Sequence, residues 1–177
     1  MVEIIQGDCL KSLRNLAPKS VNTCITSPPY FGLRDYGDEG QLGLEETPEE
    51  FVENLVKVFK EVKRVLRDDG TVWLNLGDSF FPNKQLGCIP FKVAIALQDD
   101  GWYLRQDIIW HKPNPMPESV RDRCTKSHEY IFLLSKSKKY YYDNEAIKEP
   151  VKKDWGIRDR TNGKYHNKGS GLSPHTG

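Results

Sequence analysis

Residues 26–30, Thr-Ser-Pro-Pro-Tyr, follow directly on the apolar run Val21–Ile25. They gather a hydroxyl on Ser27, backbone carbonyls and the aromatic ring of Tyr30 within one short loop. Two consecutive prolines cannot continue a helix or donate to a sheet ladder, so a strand over Val21–Ile25 must stop there. Proline also narrows the backbone's range, which leaves a stiff loop presenting hydrogen-bond acceptors and a stacking surface at a strand end. Accepting and stacking are therefore the chemistry that these residue types offer.

The elements that must position this loop are legible in the hydropathy pattern. Val2–Gln6 reads as a short apolar strand ending at Gly7-Asp8, after which Leu10, Leu13 and Leu16 recur at helical spacing until Pro18. Residues 31–46 carry Gly32, Gly37, Gly40 and Gly43 and predict an irregular, mobile loop, with Arg34 available to a phosphate. Thr47-Pro48-Glu49-Glu50 is a helix start: the threonine caps, the proline fits the first turn and Glu50 completes a capping box. The apolar face Phe51, Leu55, Val58, Phe59, Val62, Val65 and Leu66 then runs until Asp68-Asp69-Gly70.

Further along, Thr71–Leu76 predicts a strand ending at Gly77-Asp78, and Pro90 opens a helix to about Leu97 that Gly101 ends. Trp102–His111 predicts another strand, and Glu129–Ser135 with Lys139–Asp143 predict a hairpin. This alternation specifies an α/β domain with a mostly parallel sheet and a C-terminal antiparallel hairpin. In such sheets ligands gather beyond the C-terminal strand ends. Four ends carry polar signatures: Gly7-Asp8, Ser27–Tyr30, Asn75–Asp78 and His111-Lys112. Together they predict a cleft along one edge of the sheet.

A chain of 177 residues with 37% hydrophobic content suits one globular domain with a real core. The net charge of +1 hides an asymmetry, since six Lys or Arg face two Asp from Val151 onward. Residues 1–148 are expected to form the folded body, and 149–177 a polar basic tail suited to a polyanion such as DNA. The four cysteines form no CxxC pair, so neither a metal site nor a disulfide framework is expected, and Cys9 and Cys24 read as reduced core residues. The N-terminus lacks a basic segment followed by a long apolar one, and no run approaches membrane-spanning length. A soluble, cytoplasmic protein is the expectation.

Thr26-Ser27-Pro28-Pro29-Tyr30 resembles the catalytic motif of the amino-directed DNA methyltransferases, in which Asp, Asn or Ser precedes Pro-Pro and an aromatic residue. The block order resembles the permuted type that begins with this motif. Gly7-Asp8-Cys9-Leu10 is similar to the family's acidic cofactor loop, and Asn75-Leu76-Gly77-Asp78 to its strand end after the long helix. Ile109–Pro117 followed by Ser127–Phe132 resembles the late block that lines the target-base pocket. The resemblance spans about Val2–Ile147.

That resemblance implies a Rossmann-like fold, S-adenosylmethionine as cofactor, double-stranded DNA as partner, and methyl transfer to an exocyclic amine of a flipped base. Such an amine is a poor nucleophile because its lone pair is delocalised into the ring. Acceptance of its two protons by Ser27 Oγ and the Pro28 carbonyl would favour a pyramidal nitrogen. Pro29 stiffens the loop and Tyr30 stacks on the base. Serine at the first position leans toward cytosine N4, whereas aspartate leans toward adenine N6, which stays the alternative. The resemblance further implies cofactor contacts from Asp8, Cys9, Leu10 and Thr26. Substrate contacts fall to Phe31, Arg34, Asp78, Trp110, His111, Lys112 and Pro113. Methylation of cytosine C5 is set aside, because that family places its nucleophilic cysteine after a proline and no cysteine here follows one.

One family feature is missing. The glycine turn Asp-Pro-Phe-x-Gly-Ser-Gly, which lets backbone amides approach the cofactor's carboxylate, has no match. Gly169-Ser170-Gly171 has neither a strand before it nor a helix after it and reads as flexible loop. The chain is thus expected to be the front portion of such an enzyme, C-terminally truncated and inactive alone. A homodimer or a complementing C-terminal chain would complete it. Two other readings stay open: a non-catalytic DNA-binding subunit, and a methyltransferase acting on a nitrogen in protein or RNA.

Overall fold

The structure is a computed structural model, and it describes residues 2–150. Among these residues three helices, α1 (Cys9–Arg14), α2 (Pro48–Val65) and α3 (Ile89–Asp99), accompany four strands. These are β1 (Val21–Thr26), β2 (Leu66–Leu76), β3 (Tyr103–His111) and β4 (His128–Ser135), in the spatial order β1-β2-β4-β3. β1 pairs parallel with β2, while β4 lies antiparallel to both β2 and β3. Three strands therefore run one way and β4 runs back between two of them, giving a mixed sheet where a mostly parallel one was expected. The reversal has a consequence for the site: the start of β4 arrives beside the C-terminal ends of the other three strands.

Local chemistry explains most of these elements. Thr47 Oγ1 accepts from Glu50 N at 3.2 Å and Pro48 occupies the first turn of α2, as the sequence predicts. Along α2, Phe51, Leu55, Phe59, Val62 and Val65 recur at helical spacing and are buried. Phe51, Leu55, Phe59 and Val62 pack with Val93, Ala94 and Leu97 of α3 against Val72, Leu74 and Leu76 of β2 and Phe132 and Leu134 of β4. Each fully buried side chain of this size contributes about 1.5–3 kcal/mol relative to exposure. The alternate residues, among them Ile25, Trp73, Asn75 and Ile131, point to the opposite face of the sheet.

Several expectations fail for identifiable reasons. Val2–Gln6 is not a strand; Val2 and Ile4 are 89% and 90% exposed, and β1, at the edge of the described sheet, pairs only with β2. Lys139–Asp143 forms no hairpin with β4, because β4 is interior and both its edges are taken by β2 and β3. The α2 pattern ends one residue earlier than predicted: Leu66 turns extended, pairs with Val21 and begins a β2 that runs through Asp68-Asp69-Gly70. Cys9 is exposed and Cys24 half-buried, so neither belongs to the buried core, and both are free thiols. Among the described residues, 2–142 form one compact unit. The basic tail from Val151 and Gly169-Ser170-Gly171 lie outside the described residues. Among the described residues no helix is long and apolar enough to cross a membrane.

Candidate active site

β1 delivers Ser27 exposed at its end and turns Tyr30 back over the sheet. The Tyr30 ring lies so close to Gly77, just past β2, that a Cβ there would come within 2.5 Å of Cε2 and 2.8 Å of Cδ2. Its backbone is gripped as well. Gly43 has φ +100, where side chains are strained, and a Cβ on it would sit 2.9 Å from the Tyr30 carbonyl oxygen. The Gly32 N–H donates to the Gly43 carbonyl at 2.7 Å, which ties the two ends of the glycine-rich loop together.

Tyr30 Oη sits at the centre of a polar cluster. It donates to Glu129 Oε2 at 3.1 Å and accepts from Ser27 Oγ at 3.2 Å and Asn75 Nδ2 at 3.1 Å. Asn75 Nδ2 also donates to Glu129 Oε2 at 3.1 Å, and Lys112 Nζ forms an ion pair with Glu129 Oε1. The Lys112 N–H donates to the Ser127 carbonyl at 2.8 Å, which carries the β3–β4 register to this end of the sheet. Four segments thus converge: the loop after β1, the end of β2, the residue after β3 and the start of β4.

Burial, together with the nearby Glu129 carboxylate, pushes the Tyr30 phenol above its ordinary range. Burial also pulls Glu129 upward, but hydrogen bonds from Lys112, Asn75 and Tyr30 outweigh it and hold the carboxyl below the usual range. The Glu129 side chain is 16% exposed, so its ionised form depends on those donors.

Two hollows flank the cluster. Ile25, Thr26, Ser27, Trp73, Asn75 and Ile131 line one of about 360 Å³. Within its wall Asn75 Oδ1 is buried without a partner among the described residues. The other, about 840 Å³, is bordered by Asp8, Cys9, Leu10 and Pro29 together with the 36–42 segment. The predicted cofactor residues are therefore divided, Asp8, Cys9 and Leu10 in one hollow and Thr26 in the other. Asp8 also caps α1, accepting from Lys11 N at 2.8 Å.

Of the predicted substrate residues, only Lys112 joins the cluster. Trp110 is 56% exposed and pairs across the sheet with Glu129, and His111 pairs with His128. Pro113 and Arg34 are exposed. Two others have structural employment. Phe31 packs against Phe51 and Phe81, with ring centroids 5.7 and 6.5 Å apart. Asp78 Oδ1 accepts from Ser79 N at 3.0 Å and from Ile89 N at 3.1 Å, at the start of α3. Sequence reasoning does not single out Glu129 or Asn75, although both lie in the stretches Ser127–Phe132 and Asn75–Asp78. A carboxylate at the first positions of a strand that runs against its neighbours is the available signal for Glu129.

Comparison with known proteins bears on what this arrangement does. A family model described as DNA methylase, of the N6 and N4 type, matches residues 21–171. The type II methyltransferase M.SmaI of Serratia marcescens is 48% identical over 177 residues, covering 84% of this chain and 61% of that protein. Among solved structures, the cytosine-N4-specific PvuII DNA methyltransferase superposes with a TM-score of 0.65 at 22% identity, covering 77% of this chain and 50% of that one. A Thermus thermophilus protein described as a DNA modification methylase, complexed with S-adenosyl-L-methionine, gives 0.60 at 28% identity, over 79% and 57% of the two chains. The chain spans about three fifths of the length of M.SmaI and of the similar curated methyltransferases of Xanthomonas campestris and Citrobacter freundii.

Proposed function

We propose, for a chain that belongs to the N6- and N4-directed DNA methylase family, that the natural protein methylates the exocyclic N4 of a cytosine flipped out of duplex DNA. The observation that carries this reading is the exposed Ser27 hydroxyl beside Tyr30, whose ring packs on Gly77 and whose backbone is gripped at Gly43. Ser27 Oγ and the Pro28 carbonyl accept from the two amino protons, which concentrates the lone pair on nitrogen. The prolines stiffen the loop, and the Gly77 and Gly43 contacts hold its Pro29–Tyr30 end, so little reorganisation is needed in the transition state. In this reading the partly exposed Tyr30 ring stacks on the base while its hydroxyl stays tied to Asn75 and Glu129.

The residues present fit S-adenosylmethionine. The unpartnered Asn75 Oδ1 calls for a hydrogen-bond donor at a hollow otherwise walled by Ile25, Trp73 and Ile131. Thr26 and Asn75 would hold the cofactor at this hollow, whereas Asp8, Cys9 and Leu10 border the other and would meet it only if it reached across the loop after β1. When bound, it supplies an electrophilic methyl group. The nitrogen then needs no covalent help from the protein, only orientation and loss of one proton to water. Cytosine is favoured over adenine by the serine at position 27. DNA as the partner is supported by the excess of Lys and Arg from Val151 onward.

Expression of the natural protein in cells lacking DNA methylation, followed by nucleoside mass spectrometry of the genomic DNA, tests this. N4-methylcytosine is expected. N6-methyladenine would transfer the same site to the other base, and unmodified DNA beside an altered protein or RNA would overturn the reading.

A further inference from the structure

Resting on the reading that Ser27 accepts from a substrate amine, we propose that Glu129 is a positioning residue that sets the direction of the Ser27 hydroxyl. A serine hydroxyl is both donor and acceptor, and it rotates to suit its surroundings. If its proton faced the incoming amine, it would oppose the N–H it must accept. Something has to turn that proton away.

The cluster does so through a chain of forced choices. An ionised carboxylate can only accept, so Glu129 Oε2 takes the Tyr30 proton at 3.1 Å. Tyr30 Oη then has no proton left, and toward Ser27 Oγ, 3.2 Å away, it can only accept. The Ser27 proton is thereby committed to Tyr30, and its lone pairs face outward. Asn75 Nδ2 reinforces the order by donating to both Tyr30 Oη and Glu129 Oε2, so neither oxygen is free to reverse. Lys112 on Oε1 completes the shell around the carboxylate. Hydrogen bonds to an ionised acceptor are about twice as strong as neutral ones, which makes Glu129 the anchor of the chain.

Glu129→Gln tests the idea, because the amide keeps the size of the side chain but can donate where the carboxylate could not. Tyr30 can then turn its proton to Ser27, and Ser27 loses its outward acceptor. In the full-length natural protein, single-turnover methyl transfer is expected to fall about 10- to 100-fold, the usual loss when an orienting outer group is removed. Dissociation constants for duplex DNA and S-adenosylmethionine should stay within about two-fold, since only the transition-state interaction is touched.

The discriminating measurement is a double-mutant cycle. In a Ser27→Ala background, Glu129→Gln should cause no further loss, because the hydroxyl it orients is gone. Tyr30→Phe, which keeps the ring and cuts the chain, should by itself slow methyl transfer by a similar factor and likewise make position 129 silent; if Glu129→Gln fails to fold, a wild-type rate in Tyr30→Phe overturns the proposal. A wild-type rate in Glu129→Gln, or the same fold-loss in the Ser27→Ala background as in the parent, would overturn the proposal. Absence of any methyl transfer by the wild-type protein would overturn the functional reading and this inference with it. A slow Glu129→Gln beside an active wild type leaves the functional reading standing, and the cycle then supports or sinks the inference alone.

Discussion

Tyr30 and Glu129 stand 99 residues apart in the sequence and share a hydrogen bond of 3.1 Å at one end of the sheet. The bond exists because β4 runs backward between β2 and β3, bringing its first residues to the end where the other strands finish. A loop of stiff acceptors is thereby tied to a partly buried carboxylate, and the loop's behaviour becomes testable through residues well outside the Ser-Pro-Pro-Tyr motif.

Gly77→Ala probes the packing of Tyr30. Gly77 has no unusual backbone requirement, so the effect comes from a Cβ 2.5 Å from the ring. The variant is expected to lose about 1–3 kcal/mol by chemical denaturation, as for an overpacked site, and to shift the near-ultraviolet tyrosine signal. Unchanged stability would mean that the ring moves aside freely.

Phe31 lies between Phe51 and Phe81, so its truncation should act on stability. Phe31→Ala is expected to lose about 2 kcal/mol, below the roughly 3–5 kcal/mol typical of fully buried phenylalanine because the ring is only half-buried. A variant of full stability with weakened DNA binding would restore Phe31 to the substrate.

Asp78 is expected to behave as a helix-end partner. Asp78→Ala removes the acceptor for Ser79 N and Ile89 N and should lower stability by about 1 kcal/mol, while Asp78→Asn should recover most of it. Equal losses in both variants would point to a need for the charge.

The pH dependence of stability has two arms. Glu129 is held below its usual range, so its contribution is present above the unfolded carboxylate's pKa and is lost as pH falls through the folded one. Tyr30 is raised, so its contribution is present below the ordinary phenol range and is lost as pH climbs through the folded value. The titratable groups interacting with this pair are Lys112 and Lys126. In thermal unfolding across pH, Glu129→Gln should flatten the acid arm and Tyr30→Phe the alkaline arm. Arms that persist in both variants would place the titration elsewhere.

Much of this is legible in the sequence, and the failures share a cause. Thr47-Pro48, the apolar stripe of α2 and Pro90 carry their structure locally, in caps and periodicity, and those elements form where predicted. The loop at Ser27–Tyr30 is legible because two prolines leave a strand few options. Val2–Gln6 and Lys139–Asp143 mislead because apolar content marks a possible strand, whereas pairing is decided by the whole sheet, in which β2 and β3 already take both edges of β4. Glu129 escapes notice for the same reason. Attention to C-terminal strand ends suits a parallel sheet, whereas Glu129 opens a reversed strand. Asp78 and Phe31 carry suggestive chemistry, but their partners, Ile89 and Phe51, lie too far along the chain for spacing to reveal them.

The most direct test of the account is the single-turnover rate of methyl transfer by the full-length natural protein, wild type against Ser27→Ala, at saturating duplex DNA and S-adenosylmethionine. Loss of an acceptor that acts in the transition state should lower the rate at least about 100-fold and leave both dissociation constants nearly unchanged. A Ser27→Ala rate within about two-fold of wild type would contradict it, since the clamp would then contribute nothing to the chemical step.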